Sequence, residues 1–138
     1  MSESPLFMFD TNMASYAIRV QDKILDSRLE EIGVSGVCIS TITEAELRFG
    51  VCNLPAATKL NELVNSFLSR VDCLPWDSNA ACSYAQLRAH SKVRGLALSN
   101  MDMLIGAHSI AIGATLITND KAFLHFSEWI KMENWSGL

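Results

Sequence analysis

Short apolar runs that close on a polar residue alternate along this chain with longer stretches of helical periodicity, and this alternation restricts the fold more than any other feature. Leu6-Phe7-Met8-Phe9 runs into Asp10 and reads as a buried strand. Two stretches of helical spacing follow, Thr11 to Val20 and Asp22 to Ile32. The second places Ile24, Leu25, Leu29 and Ile32 on one side. Val37-Cys38-Ile39-Ser40 is a second strand. A helix opens behind it at Thr41 or Thr43, and Thr43 with Glu46 three residues on fits a capping box. Residues 56–71 carry the stripe Leu60, Leu63, Val64, Phe67 and Leu68. Cys73-Leu74-Pro75-Trp76 is a third strand, ended by its proline.

A long helix capped by Asp77 or Ser78 runs towards Val93 and stops near Gly95. The next starts at Ser99 or Asn100, turns Met103, Leu104, Ala107, Ile110 and Ala111 inward, and ends at Gly113. Ala114-Thr115-Leu116-Ile117 and Trp129-Ile130-Lys131-Met132 supply strands four and five. Strands and helices in this order make βαβ units. The expected fold is α/β, with a central parallel sheet of four to five strands flanked by helices.

With 138 residues the chain is expected to be one domain over residues 1–138. At 49% hydrophobic and 19% charged, it has the apolar material for a core and too little charge for a disordered segment. The most apolar stretch, residues 103–117, is interrupted by His108 and Ser109 and falls short of the ~20 residues of a membrane span. The N-terminus has an acid, Glu3, where a signal peptide carries positive charge, so a cytoplasmic location is expected. Cys38, Cys52, Cys73 and Cys82 form no C-x-x-C pair, sit among apolar neighbours, and are expected as buried free thiols.

In an open parallel sheet, ligands bind beyond the carboxyl ends of the strands. Asp10 directly follows strand one, and Asp120 comes three residues after Ile117 at the end of strand four. Glu46 lies in the first turns of the helix after strand two. Asp102 lies in the first turn of the helix before strand four, and joins the others if its loop returns to that edge. Taken singly, each acid has another reading. Asp10 and Asp102 suit helix starts, Glu46 suits the capping box, and Asp120 suits a turn. Together they would repel one another, and a cation is the simplest reason to keep them. Hard oxygen ligands without His or Cys indicate Mg²⁺ or Mn²⁺. Thr11 and Asn12 are placed to hydrogen-bond Asp10 or cap its helix, and Thr118 to do the same for Asp120. The formal net charge is −4. Setting the four candidate ligands aside leaves as many acids as Lys and Arg, so the acidic balance does not exclude an RNA substrate.

These motifs resemble the PIN-domain ribonucleases, and within them the VapC toxins of bacterial toxin–antitoxin pairs. The resemblance rests on Phe9-Asp10-Thr11-Asn12, on residues 39–47 with Gly50, and on residues 102–108. It continues through residues 113–120 with Phe123 and ends at Glu133-Asn134-Trp135. It implies that Asp10, Glu46, Asp102 and Asp120 are the catalytic metal ligands. Glu46 matches the Thr-x-x-Glu-Leu pattern and its neighbour Glu44 does not. Ala122 stands where relatives often carry a further acid, and the site is expected to hold one or two Mg²⁺ or Mn²⁺ ions. The resemblance also implies a homodimer, a cognate VapB-like antitoxin, and endonuclease action on structured RNA, above all tRNA, with a leaning to the initiator tRNA anticodon loop.

The chemistry expected of such a site is hydrolysis by cation-activated water, leaving a 5′-phosphate and a 3′-hydroxyl. His90, His108 and His125 have no ligand spacing and are assigned to helix packing or the surface. Trp76, Trp129 and Trp135 are assigned to the core or a dimer contact. Arg19, Lys23, Arg48, Arg88, Lys92, Arg94 and Lys121 are the candidate RNA contacts. Rival readings are a phosphatase or receiver-like phosphoryl-transfer domain, and a non-catalytic module of the same fold. The phosphatase would need an acid where Asn12 stands.

Overall fold

Met8, Cys38 and Leu116 point to one face of a sheet and Phe9, Ile39 and Ile117 to the other, and all six are fully buried. Strands covered on both faces read as nearly continuous apolar runs, which is what the sequence carries. In the computed structural model, which describes residues 6–54, 56 and 58–137, these runs form a five-stranded parallel sheet. The strands are β1 (Phe7–Phe9), β2 (Val37–Ser40), β3 (Asp72–Leu74), β4 (Thr115–Ile117) and β5 (Met132–Glu133), in the order β3-β2-β1-β4-β5. The acidic N-terminal residues noted above lie outside the described residues.

The helices are α1 (Thr11–Arg19), α2 (Lys23–Ile32), α3 (Thr41–Cys52), α4 (Thr58–Arg70), α5 (Ser78–Arg94) and α6 (Asn100–Ala111). Met8, Cys38 and Leu116 pack with Leu87 of α5, Ile105 of α6, and Phe123, Phe126 and Ile130. Phe9, Ile39 and Ile117 pack with Met13, Leu25, Leu47, Val64, Phe67 and Trp135. Each such large side chain contributes roughly 1.5–3 kcal/mol on burial. Gly106 lets α6 come close to its neighbour, since a Cβ there would lie 2.9 Å from the Ile130 Cδ1. No helix among the described residues is long and apolar enough to cross a membrane.

The chain winds from β1 outward through β2 to β3, then returns to the other side of β1 for β4 and β5. The winding direction therefore reverses between β1 and β4, and a crevice opens beyond their carboxyl ends. Phe9 pairs with Ile117 in register, so Asp10 and Thr118 emerge side by side at that reversal.

Asp22 ties the outer elements together. Its carboxylate accepts from the Ile24 and Leu25 amides at the start of α2, from the Tyr16 hydroxyl at 2.6 Å and from the Gly137 amide at 2.7 Å. These bonds, that of Tyr16 foremost, hold its pKa down at about 2.

Several local expectations need correction. The helix α3 opens at Thr41, but Ser40, not Thr41 or Thr43, caps it, because β2 ends there and its hydroxyl accepts from the Ile42 amide at 3.1 Å. Thr43 is buried inside the helix, and there is no capping box with Glu46. The fifth strand is Met132–Glu133 rather than residues 129–132. Ile130 is drawn into the core instead, and Trp129 lies 5.3 Å from the His90 ring, stacked on it. All four cysteines are free, but only Cys38 is buried; Cys73 is half-buried, and Cys52 and Cys82 are exposed. Val51 beside Cys52 packs on the core and Ala80 two positions before Cys82 is buried, and each thiol stays on the outer side of its helix.

Candidate active site

Asp10 leaves β1 with extended backbone and caps α1, its Oδ1 accepting from the Met13 amide at 2.8 Å. Its Oδ2 accepts from the Thr118 hydroxyl at 2.6 Å. The side chain is buried, with 1% of the residue's surface exposed. Burial raises its pKa to about 6, opposed by the bonds from Thr118 and Met13 and reinforced by the charges of Asp102 and Asp120. A raised value despite two favourable hydrogen bonds means that desolvation and neighbouring anions outweigh them.

Asp120 follows β4 and caps the 3₁₀ turn Lys121–Phe126, accepting from the Ala122 amide at 3.0 Å. Its own amide donates to the Thr118 hydroxyl oxygen at 3.0 Å. Thr118 thus fixes the carboxylate of Asp10, and of Asp120, the partner expected for it, only the backbone. Asp102 lies in the first turn of α6, half-buried, with its amide donating to the Ser99 cap at 3.2 Å. Its pKa is raised by burial first and then by Asp120 and Glu46, with the Ser99 hydroxyl opposing. Glu46, one turn into α3, accepts from the Thr11 hydroxyl. Thr11 therefore supports Glu46 and not Asp10, because Asp10 caps the helix itself; Asn12 is exposed.

The four acids feel one another's charge, yet among the described residues none has a Lys or Arg ion pair, and no three are drawn together tightly enough to grip an ion. Carboxylates that repel one another stand apart until a cation joins them. Each also retains lone pairs beyond the bonds just named. A hard, all-oxygen donor set without a competing protein cation fits Mg²⁺ or Mn²⁺. Glu44, two residues from Glu46, is engaged elsewhere: it accepts from Arg48 at 2.8 Å and from the Cys73 thiol at 3.0 Å.

One contact escaped the sequence reading. His108 of α6 is buried, and its Nδ1 lies 2.8 Å from the hydroxyl of Ser40. Ser40 also accepts from the Ile42 amide, and burial lowers the His108 pKa, which favours the neutral imidazole. The pair joins α6, which carries Asp102, to the start of α3, which carries Glu46. Ser40→Ala removes both the cap and the partner of Nδ1. It should cost about 1–3 kcal/mol in urea unfolding, and a loss below a few tenths would rule the bond unimportant.

The candidate RNA contacts divide. Lys121 adjoins Asp120. Arg88 and Lys92 line a groove of about 360 Å³ with Asn100 and Met103, next to Asp102 in sequence. Arg19 shares a crevice of about 80 Å³ with Thr11 and Glu46. Arg48 is paired with Glu44, and Arg94 with Glu128 beneath Trp129. Lys23 is exposed at the start of α2.

Residues 7–128 match the PIN domain family. Ribonuclease VapC2 of Rickettsia felis is 33% identical over 132 residues, covering 94% of this chain and 98% of that protein. The tRNA(fMet)-specific endonuclease VapC of Salmonella typhimurium is 30% identical over 129 residues, covering 94% and 97%. The crystal structure of VapBC2 from Rickettsia felis bound to a promoter DNA fragment superposes with a TM-score of 0.87 at 30% identity, over 95% of this chain and 99% of that one. DNA-bound VapBC from Salmonella typhimurium gives 0.86 at 29%, over 95% and 98%.

Proposed function

This chain belongs to the PIN-domain family as a VapC-type ribonuclease toxin with a cognate VapB-like antitoxin, and from that premise we propose that it cuts RNA by metal-dependent hydrolysis at Asp10, Glu46, Asp102 and Asp120. The observation that carries this reading is the buried Asp10 carboxylate, raised to about 6 at the reversal point of the sheet, with three further acids and no protein cation paired to any of them among the described residues. The carboxylates of Asp10, Glu46, Asp102 and Asp120 would hold the divalent cation, which would supply Lewis acidity towards water and the phosphate when bound.

The side chains do the rest. Thr118 and the Met13 amide fix Asp10 in one orientation, and Thr11 fixes Glu46. Burial of Asp10 excludes bulk water on its strand side, which strengthens its electrostatic interactions. Arg88 and Lys92 hold the RNA backbone along their groove, and Lys121 holds it on the far side of the acids. No side chain acts as nucleophile.

The substrate is structured RNA, and by likeness to the Salmonella typhimurium endonuclease it is tRNA, with the initiator tRNA anticodon loop favoured. The protein acts in the cytoplasm as a homodimer.

Glu46 and Glu44 provide the test. Glu46→Gln should lower Mg²⁺- or Mn²⁺-dependent cleavage of tRNA by on the order of 10²–10³, as loss of one electrostatic element of an active site does. Glu44→Gln should leave cleavage within about twofold, because it breaks only an exposed ion pair and a thiol bond. Equal rates for the two variants would overturn the ligand assignment, and an inert wild type would overturn the nuclease.

A further inference from the structure

An open cleft of about 590 Å³ continues from Asp120 along the ends of β4 and β5. Its chemistry is unlike that of the carboxylate site. Leu124, 60% exposed, and Met132 give it an apolar surface. Asn119 is half-buried on its wall, and among the described residues its amide makes no hydrogen bond. Lys121 stands at the rim. The remaining acid, Glu133, is already compensated: it accepts from Arg28 at 2.9 Å and from the Trp135 indole at 3.0 Å.

An apolar surface beside an amide that offers both donor and acceptor matches a group that has apolar faces and a polar edge. An unpaired nucleobase is such a group. Sequence-specific RNA recognition uses unstacked bases read on their edges, and an asparagine amide pairs bidentately with an adenine edge. Methionine sulfur and aliphatic carbons pack well on aromatic rings. We propose that this cleft receives an unpaired nucleobase flanking the scissile phosphate, its faces against Leu124 and Met132 and its edge read by Asn119, with Lys121 on the adjoining phosphate. The assignment rests on the ribonuclease reading and adds to it a residue that sets sequence preference. Asn119 is a specificity residue here and takes no part in the chemistry.

The experiment is cleavage of a pool of tRNAs whose anticodon-loop bases are randomised, by the purified protein with Mn²⁺, with the new ends sequenced. The wild type should show a base preference at one position beside the cut, adenine foremost. Asn119→Leu keeps the branched outline, removes the amide, and should flatten that preference by about tenfold while other positions keep theirs. Leu124→Asp should weaken binding of the same pool to a cleavage-deficient Asp10→Asn background by about tenfold, through lost packing and added charge. Melting temperatures near that of the parent confirm that both variants fold. A cutting Asn119→Leu variant with the wild-type preference overturns the cleft and leaves the nuclease standing. A pool left uncut by the wild type overturns the nuclease, and the cleft with it.

Discussion

Asp10→Asn should make the metal-free protein more stable at neutral pH while reducing RNA cleavage by on the order of 10²–10³ or more. The carboxylate is buried and titrates near 6, against 3.8 when unburied. A group raised in the folded state contributes stability below its unfolded value and loses it as the pH rises through the folded one. Above pH 6 the ionised Asp10 therefore opposes folding, by about 3 kcal/mol at about 1.4 kcal/mol per pH unit. An amide of the same shape escapes that cost, accepting from one of its present donors and turning its own NH₂ towards the Thr118 oxygen.

The sign is testable. In chelator, the variant should melt several degrees above the wild type at pH 8, and the gap should close as the pH falls from 6 to 4. Added Mn²⁺ should raise the wild-type melting temperature and leave the variant's unchanged, since a ligand stabilises only the state that binds it. A variant less stable than the wild type at pH 8 would show that the carboxylate is well solvated, and would remove the main support for a cation there. Sites that trade stability for chemistry show this opposition of effects.

The largest loss of stability should follow Trp135→Ala. Trp135 is 2% exposed, lies 4.9 Å from the ring of Phe7 and meets Phe9 edge-on at 5.8 Å. Arg28 covers it at 5.1 Å, and its indole donates to Glu133. Removing a buried tryptophan leaves a cavity and costs about 3–5 kcal/mol, a large share of the ~5–15 kcal/mol typical of a domain. Arg28→Ala should cost no more than about 1 kcal/mol, because its ion pair with Glu133 is half exposed. Urea midpoints compare them, and comparable losses would move the weight from the buried ring to its exposed partner.

Much of this was legible in the sequence wherever a physical rule acts locally. An apolar run that ends on an acid marks a strand end, and Asp10 and Asp120 were found that way. Spacing within Thr-x-x-Glu-Leu separated Glu46 from Glu44, and Glu44 is occupied by Arg48 and Cys73. What stayed hidden depends on partners far along the chain. Ser40 looks like the last residue of a strand until His108, 68 positions away, is seen against it. Thr11 was assigned to its neighbour Asp10 because its true partner lies 35 positions on. Trp129 to Met132 reads as a short apolar strand, but the core claims Ile130, and the strand starts three residues later than that pattern suggests.

The bond from Thr118 to Asp10 spans 108 positions. A ribosome delivers the N-terminal part of a chain first, at roughly 5–20 residues per second, and pairings between distant segments form late. Asp10 is therefore made early but is oriented only after β4 has emerged and inserted beside β1. A nascent or truncated chain that lacks β4 carries the first acids without the hydroxyl that aims one of them. For a protein that damages the RNA of its own cell, the order of synthesis thus acts as a delay, with cutting withheld until most of the molecule has been made.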